Sequence, residues 1–211
     1  SIGCLGGVTR HLSAPPNREA EYTMSAAAGI AGYIVSLLLV AVGLSMGPDP
    51  AGVVNLNYQL LPVVMKLLLR PFLGTSSISN QPDPFTDPTL IAFPANPVLI
   101  GGVVGLLVTS LSLLPIGRLD GGVLARNALG SAAGPLGILG FLLLIIGSFA
   151  PDDQGNLYLS FGVAAIVWQG GSELPPKEAI TGINDGQKAL ALVLLAAGFL
   201  LTIPGWGFPT I

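Results

Sequence analysis

Residues 97–122 read PVLIGGVVGLLVTSLSLLPIGRLDGG, and how this stretch divides decides the fold. Its first part lies in a window without charge that spans residues 88–117, and its last part brings in Arg118 and Asp120 among Gly117, Gly121 and Gly122. A hydrocarbon core about 30 Å thick is crossed by about 20 apolar residues in a helix. The uncharged part is therefore long enough to span a membrane, and the two charges mark where the span ends.

Four more windows free of charge reach that length or nearly so: residues 22–48, 127–151, 154–172 and 189–211. Only 9% of the 211 residues are charged, against roughly 25% in an average soluble domain. That composition excludes an ordinary soluble enzyme. The net charge of −3 leaves no basic footprint for nucleic acid. The reading is a single all-α polytopic membrane domain over 1–211, with about five transmembrane helices near 24–46, 97–116, 131–149, 157–170 and 189–203.

The fourth segment is short for a span, so the distribution of Lys and Arg serves as a second test. With five crossings, Arg10, Arg18, Arg118, Arg126, Lys177 and Lys188 share one side and only Lys66 and Arg70 take the other. Without the fourth crossing, Lys177 and Lys188 would change sides and the bias would vanish. Five spans are therefore expected, with the N-terminus and Arg118 on the cytoplasm-like or stromal side.

Between the first two spans, residues 60–71 are apolar except for Lys66 and Arg70, four apart. Two cations so spaced snorkel from one helical face, which predicts a short interfacial helix. Pro82, Pro84, Pro88, Pro94 and Pro97 then predict an extended loop. Small residues four apart, in Ser25 and Gly29, Ala28, Gly32 and Ser36, Gly101 and Gly105, and Gly130 and Gly134, allow close approach of helix backbones. Trp168, Trp206 and Tyr158 suit the interfacial belts.

Chemistry is expected where a charge is hardest to explain. Asp120 and Arg118 follow directly on a span, and a carboxylate there must be paired, protonated or bound to a cation. Pro115 removes a backbone donor, while Gly117, Gly121 and Gly122 permit a kink and close backbone approach. The pattern is a carboxylate presented on a broken helix, with Arg118 and Arg126 as possible charge partners. Asp152-Asp153-Gln154-Gly155-Asn156 lacks the alternating oxygens of a calcium loop and reads as a solvated turn.

The string Leu113-Leu114-Pro115, followed by Leu119-Asp120-Gly121-Gly122, resembles the site-2 protease family of intramembrane zinc metalloproteases. Gly6-Gly7-Val8-Thr9-Arg10, Asn96-Pro97 and the run from Ala125 to Gly130 narrow the resemblance to its chloroplast branch, the ethylene-dependent gravitropism-deficient-and-yellow-green proteins. The resemblance implies that Asp120 is a zinc ligand and that two His and a general-base Glu come from an upstream His-Glu-x-x-His helix. It also implies a chloroplast membrane, the thylakoid or the envelope, with the thylakoid preferred.

The departures from that pattern shape the functional expectation. A His-Glu-x-x-His motif needs two histidines at i and i+4, and this chain has one histidine in all. His11 is followed by Leu12, Ser13, Ala14 and Pro15 and reads as a loop residue. Ser112 stands where the family usually carries Asn, and Asn96-Pro97 where it often carries His-Pro. The lone Cys4 excludes an internal disulfide or a CxxC site.

The reading that follows is a pseudoprotease without catalytic residues in this chain. Asp120 is then a relic or incomplete zinc ligand, in a membrane scaffold or accessory subunit docked to a photosystem or antenna complex. Membrane lipids, neighbouring integral subunits and bound lipid or pigment are its expected partners. The alternative is the C-terminal part of an active zinc metalloendopeptidase whose ligand helix lies upstream of Ser1, since a first residue other than Met suggests a processed or partial chain. A transporter with Asp120 and Arg118 on a midplane path is a third reading, which the lack of any internal repeat disfavours.

Overall fold

The computed structural model describes residues 15–46, 96–149, 153–168, 177 and 182–203. The expected interfacial helix at 60–71, the Pro-rich loop, Cys4, His11 and Trp206 lie outside them. Among the described residues all regular structure is helical: α1 (Arg18–Met46), α2 (Pro97–Ser112), α3 (Asp120–Leu129), a 3-10 turn (Gly130–Ala132), α4 (Ala133–Ser148), α5 (Asp153–Trp168) and α6 (Asp185–Thr202). Three helical stretches are long and apolar enough to cross a membrane: Arg18–Met46, Asp120–Ser148 and Asp185–Thr202. Two shorter apolar helices, Pro97–Ser112 and Gly155–Val167, accompany them.

The helix starts are written into the sequence as caps. Asn17 accepts from the amide of Ala20 at 2.8 Å, and Glu19 and Glu21 follow in the first turn of α1, where negative charge complements the helix dipole. Asn96 accepts from Val98 N at 3.0 Å, with Pro97 opening α2, where a missing N–H costs nothing. Asn184 and Gln187 form a reciprocal capping box at the start of α6.

The second span, expected to run to Ile116, ends as a helix at Ser112. Pro115 has no N–H to give to the carbonyl of Leu111, its ring crowds that carbonyl, and it drives Leu114 out of the helical region. The seven residues that follow α2 are irregular, and the first four of them are buried: Leu113 and Leu114 are 0% exposed. Irregular backbone at membrane depth is tolerated where protein covers it. Its amides are bonded locally, Leu113 N to Thr109 O at 3.1 Å, Leu114 N to Leu111 O at 3.2 Å and Ile116 N to Leu114 O at 2.7 Å.

This buried passage joins two cores. Leu113 packs with Tyr22, Ala26, Leu124, Ala191 and Leu195, and Leu114 and Ile116 pack with Leu144, Tyr158 and Phe161. The small-residue spacing has a real basis in α1, where Gly29 faces Leu113, Gly32 faces Thr109, and Ser36 faces Gly105. It has none at Gly101 or Gly134, where a side chain would meet nothing among the described residues. Gly130 instead turns the chain, with φ +57°.

Helix directions follow from contacts at the two ends. The amide of Leu99 lies against Gly43, so α2 starts where α1 finishes. Gly147 lies against Tyr158, whose hydroxyl donates to Thr202 O at 2.8 Å. The start of α5 thus meets the ends of α4 and α6. At the opposite end, Tyr22 OH donates to Gln187 O at 2.8 Å, Gln187 Nε2 donates to Glu19, and the amide of Lys177 donates to Pro15 O at 3.0 Å. Arg18, Arg126, Lys177 and Lys188 gather at that end.

Tyr158, expected in an interfacial belt, stands near the helix ends but is packed inside the bundle. It is 2% exposed, because the absent side chain of Gly147 leaves room for its ring and Thr202 satisfies its hydroxyl. The outward faces carry Leu38, Ile138, Leu139, Val163 and Val193, all exposed. So many exposed aliphatic residues fit a lipid solvent and not water.

Candidate functional site

Asp120 is the first residue of α3 and is half-buried. Its carboxylate thus lies at the positive end of a helix dipole. The turn before it is set by Gly117, whose φ of +47° is a conformation open chiefly to glycine. Leu119 N donates to Ile116 O at 3.0 Å, and Val123 N to Leu119 O at 3.0 Å, which closes the turn onto the helix.

The two glycines after Asp120 are packing requirements. A Cβ on Gly121 would strike the carbonyls of Leu113 and Leu114, and one on Gly122 the carbonyl of Gly117. The start of α3 therefore rests backbone to backbone on the buried passage. Gly137 faces the carbonyl of Pro115 and Gly140 its ring, so α4 supports the passage from the other side.

Pro115, Gly117, Arg118, Asp120, Gly121, Gly122 and Arg126 form one neighbourhood. Arg126 Nη1 donates to Gly117 O at 2.6 Å, and its Nη2 lies 4.0 Å from Glu21 Oε1. Ser112 stands apart chemically, since its hydroxyl donates back to Thr109 O at 2.8 Å. Asn96 and Pro97 lie at the other end of α2, about 24 Å along the helix axis, where Asn96 is a cap. Sequence reasoning missed Glu21, which also accepts from Asn127 at 3.5 Å. A charge in the first turn of an apolar helix was its only signal.

A catalytic zinc takes three protein ligands. Asp120 offers one carboxylate, and among the described residues no three His, Cys, Asp or Glu come together. The described residues do not by themselves complete a zinc site.

No protein-family model matches the chain, and no solved structure matches it. Curated proteins do. "Probable zinc metallopeptidase EGY3, chloroplastic" of Arabidopsis thaliana is 33% identical over 215 residues, covering 97% of this chain and 36% of that protein. The EGY3 protein of Oryza sativa subsp. indica is 29% identical over the same shares. "Probable zinc metalloprotease EGY1, chloroplastic" of Arabidopsis thaliana is 27% identical over 98% of this chain and 36% of its own length. The chain thus spans little more than a third of the length of these relatives. Aligned along nearly all of its residues, this membrane chain, whose described elements are all helical, is a homologue of the EGY proteins, the chloroplast branch of the site-2 protease family.

Proposed function

We propose that this chain acts without proteolysis, as a site-2-protease-like scaffold or accessory subunit of a photosynthetic complex in the thylakoid membrane, with its N-terminus and Arg118 toward the stroma. The observation that carries the reading is the incomplete ligand set: Asp120 is held in a precise turn, yet the chain's sole histidine is followed by no Glu and by Pro15 four residues on. Ser112 and Asn96, which stand where the family carries other residues, are spent on a local hydrogen bond and a helix cap. The chloroplastic relatives support the organelle, and the apolar outer faces offer surface to lipid, pigment or neighbouring subunits.

A second reading is favoured by one observation, that relatives named as zinc metalloproteases are nearly three times as long as the aligned region. In it, the missing ligands come from the rest of a longer protein and Asp120 completes the site. Purification of the whole protein from its membrane, with zinc analysis and identification of co-migrating subunits, separates the two. The scaffold reading expects less than stoichiometric zinc, unchanged by Asp120→Ala, and stable comigration with a photosynthetic complex. Stoichiometric zinc lost on Asp120→Ala, or a His-Glu-x-x-His in the upstream transcript, overturns it.

A further inference from the structure

Gly122 and Arg126 are four apart on α3 and therefore share one face, a turn apart. The bare face of Gly122 lets the carbonyl of Gly117 settle over the helix. Arg126, one turn further on, donates to that same oxygen at 2.6 Å. The guanidinium also looks toward Glu21 in the first turn of α1, at 4.0 Å, while the neighbouring Asn127 reaches Glu21 at 3.5 Å. A planar fork with several donors can serve a carbonyl and a carboxylate together, which an ammonium does less well.

The Gly117 carbonyl belongs to the one residue of the turn with a left-handed backbone. Gly117 as a residue is exposed, unlike the buried Leu113–Ile116 passage just before it, and its carbonyl rests on Gly122 alone of the glycines in the turn. Packing alone therefore does not hold it. We propose that Arg126 is a positioning residue, a latch that ties the Asp120 turn to the first turn of α1 through Gly117 and Glu21. A displacement of the start of α1 then reaches the Asp120 turn through this side chain as well as through the packing of Tyr22 and Ala26 with Leu113. The latch stands whether or not the whole protein binds zinc.

The test is hydrogen exchange on the full protein in lipid nanodiscs, comparing Arg126→Gln, Arg126→Lys and Glu21→Gln with the unaltered chain. The amides of Leu119 and Val123 close the turn and report on it; the amides of α4 and α5 report on the bundle. Losing a charge-assisted hydrogen bond is expected to speed exchange at Leu119 and Val123 about tenfold in Arg126→Gln. Arg126→Lys is expected to show a smaller increase and Glu21→Gln a detectable one, with α4 and α5 unchanged. Unchanged exchange at Leu119 and Val123 overturns the latch. So does an equal increase across α4 and α5, which would make Arg126 a general support.

Discussion

The hydroxyl of Tyr158 donates to the carbonyl oxygen of Thr202 across the junction of α5 and α6 at 2.8 Å, and both residues are 2% exposed. Thr202 is the last residue of its helix, where carbonyls lack an intrahelical partner. Tyr158 supplies one. Tyr158→Phe keeps the ring against Gly147 and removes the donor, so a loss of about 1–3 kcal/mol is expected. Thermal unfolding in detergent measures it, and a melting temperature equal to that of the unaltered chain would show that the bond contributes nothing net.

Gly121 and Gly122 meet backbone carbonyls, which cannot move aside as a side chain can. Gly121→Ala and Gly122→Ala are each expected to cost about 3 kcal/mol or more. Gly101→Ala, on an open face of α2, is expected to gain about 0.5–1 kcal/mol. Yield of folded protein and melting temperature report all three. Equal behaviour of Gly121→Ala and Gly101→Ala would refute the backbone-contact account.

Asn96 caps α2 from a buried position. Asn96→Ala is expected to cost about 1 kcal/mol, and Asn96→Ser or Asn96→Asp to restore most of it. A melting-temperature series distinguishes a cap, which any short side-chain acceptor restores, from a role that needs the amide itself.

Val193 is 64% exposed on α6. In water, Val193→Arg would be harmless; facing hydrocarbon near a helix centre, it is expected to cost about 2.5–3.5 kcal/mol of insertion. The fraction of chain resistant to alkaline extraction from membranes should fall. Full retention would place this face against protein or water.

Much of the fold was legible because it rests on short-range or scalar properties. Whether a window carries charge is independent of what surrounds it; the caps Asn17, Asn96 and Asn184, though they act on amides one to three residues away, came from the structure. The Leu-Asp-Gly-Gly string was also visible, together with the acid it presents. The end of α2 was less so. A hydropathy window runs smoothly through Leu113 and Leu114, and only the backbone chemistry of Pro115 stops the helix there.

By itself the sequence determined that the chain lives in a membrane as a helical bundle, that one acid sits at a break, and that its single histidine makes no His-Glu-x-x-His. The tertiary structure alone decided which faces meet. It packed Tyr158 inside the bundle near the helix ends, set Gly121 and Gly122 on the passage from Leu113 to Gly117, and brought Arg126 to Glu21. The physical reason is that these helices are apolar almost all round. Lipid and protein interior are equally apolar, so hydrophobic periodicity does not distinguish the inner face from the outer. That distinction depends on the fit of small and large side chains between helices far apart in the chain.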